Sequence, residues 1–270
     1  MIQISAHTTL YGIIGSPVKH SLSPKMHNAA FRALGIDAVY LAFETSDTKS
    51  ALDAMKCLGI KGYSVTIPNK QNIINYLDDI DQTVKQIGAC NTVKNLNNKL
   101  IGTNTDWLGG ILPLEKRTNL KGKKVTVLGA GGSARAICYG LLKKGAIVNI
   151  CNRTVERANA LAKDFNCSAF SLLEANKLKG DILINTTSVG MYPLVDNSPV
   201  QEDTVKNFNI IMDIVYSPLE TKLLQMAKKL KKEIITGVEM LLYQAVAQFE
   251  FWTEQKAPVE IMRKALEENV

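Results

Sequence analysis

Gly129 and Gly131, with Ala134 three residues on, form a G-x-G-x-x-A turn between the apolar run KVTVLG and the helical stretch RAICYGLLKKG. Glycines at that spacing let backbone approach a pyrophosphate closely, and a helix starting there turns its positive end toward the anion. Ala130, Gly132 and Ser133 complete the turn. A second strand-like run, AIVNICN, follows the helix, and this complete strand–helix–strand setting points to a dinucleotide. The end of that second strand selects which one. An acidic side chain there would hold the ribose 2′-hydroxyl of NAD, but the chain has Asn152, Arg153 and Thr154, with Arg157 one turn later. Two guanidinium groups and a hydroxyl can grip a 2′-phosphate through charge-assisted hydrogen bonds, so NADP is the expected cofactor. The same residues can also be read as the start of the helix VERANALAKDF, with Asn152 or Thr154 at its N-cap. Arginine at a helix N-terminus is unfavourable without a bound anion, which favours the phosphate.

A second group of polar residues lies in the first half of the chain. HSLSP offers Ser21 and Ser23. In an extended segment, alternate residues share a side about 6.6 Å apart. A carboxylate with a hydrogen bond of about 2.7 Å at each end spans a similar distance. The same segment also reads as a helix start, with Ser23 at the N-cap and Pro24 first in the helix. The local pattern leaves both open. GYSVTIPNK, IGACNTV and GTNTD each end a strand-like run in polar residues, where open α/β sheets place their chemistry. Lys70 lies two residues beyond the proline, and Asp106 closes GTNTD; taken singly, either is an ordinary solvated group.

Positioning these residues requires two α/β patterns that meet near residue 105. In the first, YGIIG, AVYLAFET and GYSVTIP read as strands, with helices over 24–35, around 48–58 and over KQNIINYLDDI. Such alternation predicts a largely parallel sheet with helices on its faces. GACNTVKN and KLIGTN, separated by Leu96–Asn98, are spaced to pair as a hairpin. The second pattern starts at Lys121 and continues beyond the glycine turn through DILINTTS and FNIIMDIVY. The last block, GVEMLLYQAVAQFEFWT, has helical spacing and can run back to the first domain.

Composition narrows the alternatives. The chain has 270 residues, enough for two modest domains, with 46% hydrophobic residues as in ordinary globular proteins. The net charge of +7 suits anionic ligands but is spread out, and the densest basic stretch, AKKLKKE, ends a predicted helix without interleaved aromatic residues. Nucleic acid is therefore not an expected partner. The five cysteines form no C-x-x-C pair, which fits a reducing compartment, and the three histidines show no metal-ligand spacing, so no metal is expected. No signal-peptide pattern opens the chain and no run of about 18 apolar residues occurs, so the expectation is a cytoplasmic protein without a membrane partner.

Taken together, these segments with GAGGSARA, NRTVER, INTTSVGM, MDIVYSPLETKLL and GVEMLLYQAVAQF resemble the shikimate dehydrogenase family, in order from about residue 11 to residue 252. The resemblance implies an α/β fold of two domains with a cleft between them. An N-terminal α/β substrate domain would span residues 1–105 plus 238–270. A Rossmann-type doubly wound dinucleotide-binding domain would span 106–237, with the C-terminal helices returning to the first domain. It implies NADPH-dependent, reversible reduction of 3-dehydroshikimate to shikimate, on the route to chorismate and the aromatic amino acids, by a monomer or homodimer. By that similarity Ser21 and Ser23 hold the substrate carboxylate with help from Tyr216, and Thr66, Asn91, Asp106 and Gln244 bond the ring hydroxyls and ketone. Lys70 and Asp106 are the implied catalytic pair, and Ile214, Gly237 and Met240 meet the nicotinamide. The chemistry is coherent. As hydride reaches a carbonyl carbon, charge grows on oxygen, and a lysine of reference pKa about 10.4 is charged at neutral pH yet still a stronger acid than the alcohol being formed. One departure is Ser64, where many members carry Asn in G-x-N-V-T.

Rival readings are less well supported. A quinate/shikimate dehydrogenase using NAD would favour an acidic residue in place of Arg153–Thr154, and relatives with quinate activity often carry Thr at the position of Ser23. A catalytically silent NADP-binding regulatory module has no need of Lys70, Asp106 and the polar substrate set. Another two-domain reductase would share the cofactor unit alone.

Overall fold

The computed structural model describes residues 4–268 and divides into two compact units. One ends at Thr105 and resumes at Gln244; the other is Asp106–Tyr243.

The first unit opens with β1 (Thr9–Gly15), α1 (Ser23–Ala33), β2 (Ala38–Glu44), α2 (Thr48–Cys57) and β3 (Gly62–Val65). Its three strands pair in parallel, with β1 between β2 and β3. Then follow β4 (Asp79–Ile80), α3 (Gln82–Ile87), β5 (Thr92–Leu96) and β6 (Lys99–Thr103). The sheet order is β2-β1-β3-β5-β6-β4, with β5 antiparallel to both its neighbours and β4 parallel to β6. The sheet is therefore mixed, where strand–helix alternation predicts a largely parallel one. A short hairpin reverses the chain at β5–β6, and a reversal of that kind makes antiparallel pairs. Its turn is only Asn97–Asn98, at φ 53° and 66°, the left-handed conformations that asparagine tolerates and a tight hairpin needs.

The helix predicted over KQNIINYLDDI is not formed. A 3-10 turn covers Asn72–Tyr76, and β4 follows. The Asp78 backbone N–H donates to the Leu100 carbonyl, its carboxylate accepts the Leu100 N–H at 2.7 Å, and the Asp81 N–H donates to Gly102. Pairing with β6 satisfies this backbone, and the two asparagines of the stretch are weak helix formers. Where helices do form, local caps start them. Asp47 accepts the Ser50 N–H at 3.0 Å ahead of α2, and Asp81 accepts the Val84 N–H at 2.9 Å ahead of α3.

The second unit runs α4 (Asp106–Glu115), β7 (Lys124–Leu128), α5 (Gly132–Lys143), β8 (Ile147–Asn152), α6 (Val155–Phe165), β9 (Ser168–Ser171), β10 (Ile182–Asn185), α7 (Glu202–Val205), β11 (Ile210–Asp213), α8 (Lys222–Lys229) and β12 (Glu233–Ile235). All six strands are parallel, in the order β12-β11-β10-β7-β8-β9. Alternate residues of the central strands feed opposite cores: Val125, Val127, Ile182 and Ile184 to one, Leu128 and Leu183 to the other. Strand order reverses between β7 and β10. The carboxyl ends at such a reversal form the crevice where doubly wound sheets bind ligands.

The helix α9 (Gly237–Thr253) begins in the second unit, and its residues from Gln244 onward belong to the first, as does α10 (Val259–Glu267), which packs on α1. Trp252 of α9 lies flat against Gly62, where a Cβ would sit 2.6 Å from the indole nitrogen. Its N–H donates to the Val93 carbonyl at 3.0 Å.

Candidate active site

In the second unit, the turn after β7 is shaped by what it touches. Gly129 has φ +114°, and a Cβ there would lie 2.6 Å from Thr186 Oγ1, just beyond β10. The glycine thus allows both a left-handed backbone and close approach of the two segments. A Cβ at Gly131 or Gly132 would meet nothing within 4 Å, so the space beside this backbone is open. The helix α5 starts on Gly131 with no side-chain cap and no acidic residue in its first turn. Its first N–H groups and the positive end of its dipole are suited to an anion. Ala134 is fully buried, a small residue where the helix packs on the sheet, while Ala130 and Ser133 are half-buried.

Beyond β8, Asn152 Nδ2 donates to the Thr154 carbonyl at 2.8 Å, and Thr154 occupies the N-cap of α6 without a side-chain cap bond. Neither side chain caps the helix in the way the capping reading expects. Arg153 and Arg157 are exposed, and neither guanidinium group has an ion-pair or hydrogen-bond partner among the described residues. Open glycine backbone, an uncapped helix start and two unpaired guanidinium groups fit a dinucleotide with a 2′-phosphate.

The ends of β10 and β11 carry a buried network with no counterpart in the sequence reading. Asp213 is fully buried; it accepts from Asn185 Nδ2 at 2.9 Å, the Val215 N–H at 3.0 Å and the Thr221 hydroxyl at 2.6 Å. Burial pushes its pKa up to about 6, against the lowering effect of these hydrogen bonds. The available signal was a charged residue ending an apolar strand in MDIVY. The network anchors the segment bearing Ile214 and Tyr216, whose phenol pKa is raised by burial. A Cβ on Gly237 would lie 2.5 Å from the Ile214 carbonyl, and Met240 and Ile214 share one apolar cluster. Ile214, Gly237 and Met240 are thus gathered together. Asp106 is the first residue of α4 and 5% exposed.

In the first unit, polar residues collect at one end of the sheet: after β1, after β3, and at the start of antiparallel β5 beside them. A Cβ on Gly15 would lie 2.2 Å from the methyl of Thr66, so only glycine lets Thr66 sit over the end of β1. Asn69, which the sequence reading passed over, is 1% exposed and pins the next turn. It accepts from the Thr48 hydroxyl and donates to the Thr45 carbonyl, each at 3.0 Å. Lys70 follows it, half-buried, with its carbonyl accepting the Cys90 N–H at 2.8 Å.

Ser21 and Ser23 do not lie on an extended segment. Leu22 has helical angles and Ser23 is already the first residue of α1, because Ser21 Oγ accepts the Ser23 N–H at 3.3 Å and turns the chain. Asn91 is buried and its amide orientation is set, since Oδ1 accepts the Thr105 N–H at 2.7 Å and the Thr92 hydroxyl at 2.8 Å. Its Nδ2 donates to the Thr105 hydroxyl oxygen at 3.0 Å, so both ends of the amide are held. Gln244, 8% exposed, opens this unit's share of α9.

Comparison with known proteins places these features in a family. Residues 13–93 match the shikimate dehydrogenase substrate binding domain, 112–231 the shikimate/quinate 5-dehydrogenase family, and 237–267 the shikimate 5′-dehydrogenase C-terminal domain. The chain is 42% identical over 280 residues to a shikimate dehydrogenase (NADP(+)) of Methanocaldococcus jannaschii, covering 99% of each. A crystal structure of a shikimate dehydrogenase in complex with NADP+ is similar at a TM-score of 0.94 and 41% identity, covering 99% of this chain and 98% of the other. The Thermus thermophilus enzyme, solved with NADP(H) and shikimate, is similar at 0.91 and 33% identity, covering 97% of this chain and 100% of the other.

Proposed function

The chain belongs to the shikimate dehydrogenase family, and from that premise we propose that it interconverts shikimate and 3-dehydroshikimate reversibly with NADP. The observation that carries the cofactor half is the open glycine turn at the strand-order reversal, with Arg153 and Arg157 unpaired beyond the neighbouring strand. The second unit binds NADP through Gly129–Ser133 and the Asn152–Thr154 segment with Arg157, and Ile214, Gly237 and Met240 border the nicotinamide. The first unit, from its start to Thr105 and again over its share of α9 and α10, binds the substrate.

When bound, NADPH supplies a hydride to the carbonyl carbon. Lys70 donates a proton to the oxygen as charge grows there, and takes it back in the oxidative direction. Asp106 is the second member of the catalytic pair and accepts a hydrogen bond from a ring hydroxyl. Thr66, Asn91 and Gln244 orient the ring, while Ser21, Ser23 and Tyr216 take the carboxylate. The enzyme works in the cytoplasm as a monomer or homodimer; its five free cysteines support a reducing compartment.

Absorbance at 340 nm with the purified protein tests this, pairing shikimate or quinate with NADP or NAD. Turnover is expected with shikimate and NADP above the other three pairs. Preference for quinate or for NAD would overturn the assignment.

A further inference from the structure

We infer that Asn69 and Thr48 are positioning residues for Lys70: a hydrogen bond between their buried side chains ties the turn that carries the lysine to the start of α2, and so governs the rate of proton transfer. The inference rests on the reading of Lys70 as the proton donor.

The direction of each hydrogen bond in this anchor is determined. Asn69 Nδ2 lies 3.0 Å from the Thr45 backbone carbonyl, which can only accept, so the amide faces one way. Its Oδ1 is left to accept, and the Thr48 hydroxyl donates to it at 3.0 Å. Thr48 is the first residue of α2 and is buried, as is Asn69. A buried polar group that loses its partner is left unsatisfied, so the turn must shift to find another. The Asn69 backbone is held as well: its N–H donates to the Thr66 carbonyl at 2.9 Å and its carbonyl accepts the Ile73 N–H at 3.0 Å.

The two ends of the turn are anchored differently. Thr66 is fixed to β1, since its N–H donates to the Ile14 carbonyl at 2.9 Å and its methyl lies over Gly15. The Ser16 N–H donates to the next carbonyl, that of Ile67, also at 2.9 Å. Lys70 lies on the other side of Asn69. There the anchors include the Asn69 amide, which reaches the segment joining β2 to α2, and the Lys70 carbonyl, which accepts the Cys90 N–H ahead of β5. Cutting the Asn69–Thr48 bond therefore loosens the lysine before it loosens Thr66. A misplacement of about 1 Å can cost about 100-fold in rate. The expected signature is a fall in turnover with shikimate affinity kept.

Steady-state kinetics and calorimetric titration with shikimate test this on the full-length protein. Thr48→Val keeps the side-chain outline and removes the proton that Asn69 accepts. It should lower kcat about 10- to 100-fold, with the shikimate dissociation constant within about 2-fold of wild type. Thr48→Ser should recover most of the turnover, and Asn69→Ala, which removes the bond from the other side, should behave like Thr48→Val. Adding Thr48→Val to Lys70→Ala should lower kcat no further, because the lysine being positioned is gone. A general loss of packing would instead lower kcat by the same factor in both backgrounds, and that result would overturn the inference. So would a Thr48→Val variant that matches wild type, or one that weakens shikimate binding at unchanged kcat. If Lys70→Ala itself turns over at the wild-type rate, the reading of Lys70 as proton donor fails, and this inference with it.

Discussion

The amide of Asn185 donates to the carboxylate of Asp213 across 2.9 Å, joining the ends of β10 and β11. Asn185 Oδ1 in turn accepts from the Thr187 N–H at 3.0 Å and hydroxyl at 2.7 Å. One pair of side chains therefore anchors the segments that follow β10 and β11. Asp213→Asn keeps the shape but places an amide N–H₂ against donors, and should lower unfolding free energy by about 1–3 kcal/mol in denaturant titration. The folded carboxyl holds its proton up to about pH 6, above its ordinary 3.8. Wild-type stability from this group therefore falls as pH climbs between those values, and the variant should lack that component. A variant as stable as wild type, with the same pH slope, would remove Asp213 from this role.

Arg153 should read the 2′-phosphate. Loss of charge-assisted bonds of about 1.5–3 kcal/mol in Arg153→Ala should weaken NADPH roughly 10- to 150-fold and leave NADH unaffected. Fluorescence titration with both cofactors checks this. Equal losses would mean that the arginine serves the fold or the shared part of the dinucleotide.

Lys70→Ala should lower turnover by about 10²- to 10⁴-fold with little change in substrate affinity. Steady-state kinetics with a separate binding measurement divide the two effects. Turnover near that of wild type would exclude Lys70 as the proton donor.

His27 makes an acid-stability prediction. Its imidazole is fully buried, stacked on Tyr40 with ring centres 4.5 Å apart, and neither nitrogen has a hydrogen-bond partner among the described residues. Gln248 lies beside the ring, but burial dominates and pushes the pKa down to about 3 from the ordinary 6.5. The unfolded chain takes up this proton below pH 6.5 and the folded chain does not, so stability is lost as pH falls through that window, by about 1.4 kcal/mol per unit. His27→Phe keeps the stack and removes the titration. Its denaturation midpoint should fall less steeply with acid than that of wild type; parallel curves would show that His27 is not the source.

The cofactor unit was legible because its signals are local: a glycine turn, the strand before it and the arginines after the next strand all lie within one short βαβ stretch. The first unit was less so. Its hairpin was visible, but the mixed sheet depends on β5 inserting beside β3, a long-range pairing that no residue announces. KQNIINYLDDI has helical periodicity and yet yields a strand, because Asp78 and Asp81 find partners on β6. Ser21 and Ser23 were visible as a pair, but their local pattern left an extended segment and a helix start both open, and the turn that Ser21 Oγ makes with the Ser23 N–H decides between them. Asn69 and Asp213 escaped notice because their partners are brought together only by the fold.

Hydride delivery itself can be followed with 3-dehydroshikimate and NADPH carrying deuterium at the transferable C4 position. The expected product is shikimate with a single deuteron on C3, the former carbonyl carbon, seen by proton NMR and mass spectrometry. Unlabelled shikimate, or cofactor consumed without shikimate formed, would contradict the account at its centre.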